Sequence, residues 1–240
     1  MQEPRHITMT APADPAEEFK DFAYIVSHDL AGPVRSMVAF SQLLKESLPV
    51  VEKAEDQLHL DLIIESGQKL GEMIQGLLAF SRLNTVPRTR TLVELEIVVA
   101  RCYMQLQAQL DATKGHFNYP RMPEVMADAQ QMHTVFFALL DNAIKFRKPD
   151  QAPDIRIRCD KTADFWEFSI SDNGIGIDPL FYDDVFRPLR KLHTDDAYPG
   201  VGMGLTLARK IVIQHGGQIW LEPSGRGSGL TVAFTLSKNP

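Results

Sequence analysis

Apolar residues recur in steps of four and three along the first third of the chain. Between Phe19 and about Leu48 the row is Val26, Leu30, Pro33, Met37, Phe40 and Leu44. Such a heptad row predicts a helix packed in a bundle or coiled coil. Pro33 lies inside it and predicts a kink. Pro49 and the charged stretch after it predict a turn, and a second helix follows from about Asp56 to Arg82. Its row is Ile63, Gly67, Leu70, Ile74 and Leu77. Two antiparallel helices bury such rows poorly by themselves. The hairpin is therefore expected to pair with a second copy as a four-helix bundle, making a homodimer.

The pattern changes after Asn84–Arg90 (NTVPRTR), a polar stretch that reads as a linker. Leu92–Leu110 has the spacing of a helix, His116–Tyr119 and Glu124–Met126 that of short strands. Asp128–Arg147 is a helix with Asp128 as N-cap. Ile155–Cys159 and Phe165–Ile170 alternate like paired strands. A Gly-rich stretch follows, then a helix over Met203–His215 and two closing strands, Gln218–Leu221 and Thr231–Leu236. Strands and helices mixed without a strict βαβ rhythm predict an α+β sandwich, one sheet with helices on one face. The expected division is a disordered tail over 1–18, a helical hairpin over 19–83, the linker over 84–90 and a second domain over 91–240.

Composition narrows the field. The 240 residues are 44% hydrophobic and 23% charged, ordinary values for a folded globular chain. The net charge is −6 and no basic run is present, which argues against nucleic acid or an anionic membrane surface as the main partner. No apolar stretch approaches the ~20 residues of a membrane span. The first residues lack the apolar centre of a signal peptide. The two cysteines, Cys102 and Cys159, have no ligand-like spacing. A reduced, cytoplasmic setting is the simplest expectation.

Four constellations carry candidate chemistry. In Ser27-His28-Asp29-Leu30-Ala31-Gly32-Pro33, His28 falls between Val26 and Leu30 and so points away from the apolar row, into solvent. Asp29 can take the proton of one ring nitrogen and leave the other free to attack, which makes His28 a candidate nucleophile. Alone, an exposed histidine is more often an ordinary surface residue. In Leu139-Leu140-Asp141-Asn142-Ala143-Ile144-Lys145-Phe146, Asn142 and Lys145 share one helix face. A neutral carboxamide oxygen suits a Mg²⁺ that also bridges phosphates. An ordinary helix end fits that stretch about equally well.

Asp172-Asn173-Gly174-Ile175-Gly176-Ile177 directly follows a strand. An aspartate there can accept a hydrogen bond from the amine of adenine, and Gly174 and Gly176 let backbone approach a flat ring. Gly200-Val201-Gly202-Met203-Gly204-Leu205 opens a helix, where free N–H groups suit anions. Gly-rich turns are common, and this one lacks the βαβ setting of a dinucleotide site. About thirty residues separate the two glycine stretches, a length typical of a functional lid. Within it Phe186 can pin the lid to the core. Lys191 is a candidate phosphate contact or a solvated lysine.

Together these stretches resemble the sensor histidine kinases of two-component signalling. SHDLAGP is similar to the phosphoacceptor box, LLDNAIKF to the asparagine box, VFRPLRKLH to the phenylalanine box, and DNGIGI and GVGMGL to the two glycine boxes. GGQIWLEPSGRGSGLTVAFTL resembles the family's last glycine-containing segment. The wording SHDL…P and RKLH is most like the kinase modules of phytochrome-type photoreceptors. The resemblance covers about Phe19–Leu236. It implies a dimeric histidine-phosphotransfer hairpin followed by an ATP-binding domain of the GHKL sandwich type. His28 would be the phosphoacceptor and Asp29 its base. Asn142 would hold Mg²⁺ and Lys145 would lie near the phosphates. Asp172 would bind adenine, flanked by Gly174 and Gly176. Gly200, Gly202, Gly204 and Leu205 would shape the triphosphate end beside Lys191. The γ-phosphoryl group would pass from ATP to His28 and then to an aspartate of a response regulator receiver domain, with Arg35 and Ser36 as possible contacts.

Two positions depart from the family's pattern. Ala138 stands where a polar residue, often Asn, is usual, which would weaken a metal or water contact and cannot serve as a base. Gly32 stands where Thr or Asn orients water in strong phosphatases, so weak phosphatase activity is expected. The competing reading is a non-catalytic dimeric scaffold or phosphotransfer module with a degenerate ATP site. Glycine boxes, Asp172 and Asn142 favour the enzyme; Ala138 favours the alternative. No sensor domain is expected within Met1–Glu18.

Overall fold

The computed structural model describes residue 32 and residues 34–45, 54–85, 90–192, 198–225 and 228–238. The chain divides into two compact units, Met1–Arg82 and Leu83–Pro240.

In the first unit, helix α1 (residues 34–45) packs on helix α2 (Ala54–Thr85). Val34 of α1 closes a small core with Ile74 and Leu78 of α2. At Gly67 the helices approach so closely that a Cβ would lie 2.5 Å from a Val38 methyl. Lys45 pairs with Asp61 at the other end of the contact. The heptad row expected from the sequence is not the row that closes this hairpin. Met37, Phe40, Leu44, Ile63 and Leu70 are exposed, whereas Val34, Ile64, Ile74 and Leu78 are buried. Gly67 and Ile74 belong to both rows. An apolar stripe wide enough for two neighbours contains two adjacent rows, and periodicity does not say which one meets the helix of the same chain. Val26, Leu30 and the expected kink at Pro33 lie outside the described residues. So do His28 and Asp29.

The second unit is a two-layer sandwich. Strands β1 (Thr91–Glu94) and β3 (Glu124–Ala127) form a small antiparallel sheet. Strands β2 (His116–Asn118), β4 (Asp154–Lys161), β5 (Phe165–Ser171), β6 (Ile219–Pro223) and β7 (Leu230–Ser237) form the main sheet in the order β2-β4-β5-β7-β6. Only the β2–β4 pair is parallel. Helices α3 (Leu95–Thr113), α4 (Ala129–Lys145) and α5 (Gly204–Gln214) cover one face. Alternation chooses that face: Ile155 and Ile157, Phe168 and Ile170, then Val232, Phe234 and Leu236 are all buried. Phe136 of α4 meets Phe168 and Phe234 edge-on at 5.9 and 5.6 Å, and those two rings stack at 5.0 Å. This three-ring contact ties the middle helix to the two central strands.

One expected element is corrected. Leu92 does not begin a helix: Thr91–Glu94 is a strand paired with β3, and α3 starts at Leu95. Val93 turns into the core while Leu92 faces out, the alternation of a strand, and Glu94 keeps extended backbone as the N-cap. Four residues were too few for that alternation to outweigh the helical run beside it.

Two contacts fix α4, which carries the candidate site. The Asp128 side chain accepts from Gln131 N–H at 2.9 Å, capping the helix as expected. Buried His215, at the end of α5, accepts from Asp128 N–H through Nε2 at 3.3 Å. Its Nδ1 therefore carries the proton and donates to Ile211 O at 2.8 Å. The start of α4 is thus clamped to the end of α5.

Candidate functional site

The last turn of α4 and the loops around it gather most of the residues singled out in the second unit. Asn142 and Lys145 lie in that turn, both half-buried. Helix α5 begins directly opposite. A Cβ on Gly204 would lie 3.4 Å from Ala138 Cβ and 3.9 Å from Asn142 Nδ2. A Cβ on Gly200 would lie 2.7 Å from Lys145 Nζ. Gly202, at φ +72°, has its Cβ space taken by the backbone of Arg190. Gly200 and Gly204 thus bring this stretch against side chains of α4, while at Gly202 the positive φ and the Arg190 backbone bar any side chain. Leu205 packs against the main core.

Asp172 marks the other end. It follows β5 and pairs with β7 through its backbone, Asp172 N–H donating to Leu230 O at 2.9 Å. Its Oδ1 accepts from Gly174 N–H at 2.8 Å and Leu230 N–H at 3.1 Å. Among the described residues both bonds go to Oδ1, which leaves Oδ2 for a ligand. Burial pushes the Asp172 carboxyl above the ordinary carboxylate range, and the two N–H groups pull it part of the way back. A buried acceptor with one oxygen fixed and one open is suited to reading an amine.

Phe146 joins the two ends. Its carbonyl accepts from Ile175 N–H at 3.0 Å and fills the space where a Gly174 Cβ would stand. Its ring lies 5.0 Å from Lys145 Nζ and meets the Tyr198 ring at a tilt, with centroids 4.9 Å apart. Lys191 Nζ donates to Tyr198 O at 3.0 Å, so Lys191 belongs to the same corner. Gly176, at φ +73°, backs onto Gly229. Asn173 instead braces the fold: its side chain accepts from Asp154 N–H and donates to Ala152 O, both at 2.9 Å. Phe186 is buried, with the Arg209 guanidinium over its ring at 5.3 Å, and so anchors the segment between the glycine boxes to α5. Burial pushes the Asp141 carboxyl upward, opposed by Lys145.

Asn142, Lys145, Asp172, Gly174, Gly176, Lys191, Gly200, Gly202 and Gly204 thus surround one region of the second unit. Sequence reasoning missed Phe146, Tyr198, Gly229 and Leu230 as site components. Phe146 closes the LLDNAIKF stretch, and Gly229 and Leu230 lie in the last glycine-containing segment; those positions were the available signals. All four act through backbone or ring contacts that no side-chain chemistry announces.

Two family comparisons match this chain. Residues 20–85 match the "His Kinase A (phospho-acceptor) domain". Residues 127–240 match the "Histidine kinase-, DNA gyrase B-, and HSP90-like ATPase". The chain belongs to the sensor histidine kinases. The ATPase match falls within the second unit. The chain is 37% identical over 221 residues to the phytochrome-like protein Cph1 of Synechocystis, covering 91% of this chain and 29% of that protein. It spans under a third of that relative. Among solved structures it resembles full-length ShkA in complex with AMPPNP, with a TM-score of 0.70 at 19% identity over 90% of this chain and 45% of that one. It also resembles histidine kinase ThkA in complex with the response regulator protein TrrA, with a TM-score of 0.62 at 19% identity over 93% and 64%. These likenesses establish the fold, a helical hairpin followed by an α/β sandwich. No helix among the described residues is long and apolar enough to cross a membrane.

Proposed function

We propose that this chain is the catalytic core of an ATP-dependent protein-histidine kinase that phosphorylates His28 and passes the group to an aspartate of a response regulator. The observation that carries the reading is the convergence of Asp172, Asn142, Lys145 and the two glycine boxes on one turn of α4. Asp172 Oδ2 accepts from the 6-amine of adenine, with Gly174 and Gly176 giving the ring its approach. Lys145, Lys191 and the backbone of Gly200–Leu205 face the triphosphate. A His28 ring nitrogen attacks the γ-phosphorus in line. The bond to the β,γ-bridging oxygen breaks, ADP leaves, and Asp29 takes the proton from the other ring nitrogen. Positioning and charge neutralisation supply most of the rate.

Mg²⁺ fits the donor set. No cluster of three acidic, histidine or cysteine side chains is present among the described residues, so an all-protein cage is not on offer. A neutral carboxamide at Asn142 suits an ion held chiefly by phosphate oxygens and water. When bound, the ion neutralises charge on the β- and γ-phosphates.

The hairpin is read as the homodimer contact. Met37, Phe40, Leu44, Ile63 and Leu70 form the exposed apolar row that a second hairpin would bury. Phe40→Glu is expected to weaken dimerisation at least about tenfold, measured by sedimentation; an unchanged dimer would refute this contact. The regulator partner follows the family chemistry, and ThkA was solved with such a protein bound. Arg35 and Ser36 are exposed on α1 and are the candidate contacts. Exchanging them should shift transfer rates among regulators. Gly32 has nothing within 4 Å of its Cβ position among the described residues, so Gly32→Thr fits and should raise a weak phosphatase activity. Both cysteines are free, which fits a reduced cytoplasmic setting.

One observation favours a second reading, a phosphotransfer scaffold that does not turn ATP over. Ala138 faces Gly204 beside Asn142 and offers no polar atom there. Incubation with γ-labelled ATP and Mg²⁺ separates the two readings. Acid-labile, base-stable label that is absent from His28→Gln and Asn142→Ala supports the kinase. A folded dimer that takes up no label supports the scaffold, and Ala138→Asn is then the variant expected to restore labelling.

A further inference from the structure

We propose that Lys148 and Ser228 are positioning residues for the adenine end of the site: their hydrogen bond holds the β6–β7 turn where its backbone aims the Asp172 carboxylate. The inference rests on the reading of Asp172 as the adenine acceptor.

Asp172 does not orient itself. Its Oδ1 is held by Leu230 N–H at 3.1 Å, and Leu230 is the first residue of β7. Gly229, just before it, has φ +103° and lies so close to Asp172 O that no Cβ fits between them. A shift of this turn of even a few tenths of an ångström therefore moves the carboxylate or breaks its bond. The turn's own anchor is Ser228. Its carbonyl accepts from Ser224 Oγ at 2.6 Å, which closes the turn on itself. Its hydroxyl accepts from Lys148 Nζ at 2.8 Å, which ties the turn to a segment 80 residues away. That bond is charge-assisted and partly buried, stronger than a surface contact between neutral groups.

Lys148 comes two residues after Phe146, whose carbonyl holds Ile175 N–H at 3.0 Å and fills the Cβ space of Gly174. One short stretch, residues 146–148, thus braces both donors to Asp172 Oδ1. Phe146 braces the loop that supplies Gly174 N–H, and Lys148 braces the turn that supplies Leu230 N–H. A lysine this near a nucleotide site also suggests a direct phosphate contact, which is a different role with a different signature.

The experiment uses the whole chain and two nucleotides, ATP and purine riboside triphosphate, which lacks the 6-amine. Their dissociation constants are measured for the parent, Asp172→Ala, Lys148→Met, Lys148→Arg, Ser228→Ala and the Lys148→Met/Ser228→Ala pair, with melting curves to confirm folding. Lys148→Met and Ser228→Ala are each expected to weaken ATP about five- to tenfold while leaving the purine analogue unchanged. The pair should be no worse than either single change. Lys148→Arg should retain most of the affinity. Equal loss of both nucleotides in Lys148→Met would make it a phosphate contact and overturn the proposal, as would no loss at all. If Asp172→Ala abolishes discrimination and Lys148→Met does not, the proposal fails and the adenine reading stands. If the parent does not discriminate, or Asp172→Ala changes nothing, the adenine reading fails and the proposal fails with it.

Discussion

A Cβ added at Gly67 in the hairpin would meet a methyl of Val38, at the end of a side chain. Added at Gly174, Gly217 or Gly229 in the sandwich, it would meet the carbonyl of Phe146, Thr235 or Asp172. The hairpin brings two helices close through side chains that can turn aside. At these three positions the sandwich brings backbone against backbone, where hydrogen bonds leave no room to yield. The difference suits the two tasks that the proposed function assigns to these units. Helices that carry a signal gain from a contact that adjusts by small shifts. A site that reads a base and holds phosphates gains from a frame that does not.

The sharpest way to break the comparison is Gly217→Ala. Its Cβ would fall on Thr235 O, and Gly217 N–H also closes the end of α5 onto Val212 O at 3.0 Å. The sandwich is expected to lose about 4 kcal/mol or more and nucleotide binding with it, while the hairpin's helical signal and the proposed dimer persist. Two-step thermal melting followed by circular dichroism reads this. A single lowered transition would mean that the units do not melt independently. Phe136→Ala removes the ring that meets Phe168 and Phe234 and should cost the sandwich about 3–4 kcal/mol, again without effect on the dimer.

Asp172→Asn sharpens the comparison by separating function from stability. Burial raises the folded carboxyl above its unfolded value. The folded state then holds the proton more tightly, so this group's contribution to stability falls as pH rises from the unfolded value through the raised folded one. Asparagine keeps an oxygen for Gly174 and Leu230 N–H without the buried charge. The variant should melt above the parent at pH 7, the gap closing as pH drops to about 4, while ATP affinity falls about tenfold. A lower melting point at pH 7 would refute the assignment of strain to the charge.

Smallest is Gly67→Ala. Helix propensity favours alanine by about 1 kcal/mol, and crowding of Val38 opposes it by about 1–3 kcal/mol. The expected net is a loss of about 1 kcal/mol, read from the hairpin transition alone. A loss as large as that of Gly217→Ala would erase the distinction between the two kinds of close approach.

The sequence was legible where information is local. Heptad spacing announced both helices of the hairpin, alternation announced β4 and β5, and Asp128 announced the start of α4. The glycine boxes and the asparagine box were visible as candidate chemistry because residue type and immediate neighbours carry that signal. Strand β1 was lost because four residues of alternation lie against a nineteen-residue helix. The inner row of the hairpin, Val34, Ile64, Ile74 and Leu78, was lost beside an equally apolar outer row.

What only the tertiary structure decided is which distant groups meet. Leu230 N–H reaches Asp172 across 58 residues, Lys148 reaches Ser228 across 80, and Asp128 N–H reaches His215 across 87. Each is a backbone or short polar contact set by how the sheet and helices stack. Periodicity and residue type act over a few residues, so they determined the elements and the chemical inventory of this protein. The geometry that makes the inventory a site came from packing, which constrains all the elements of the sandwich at once.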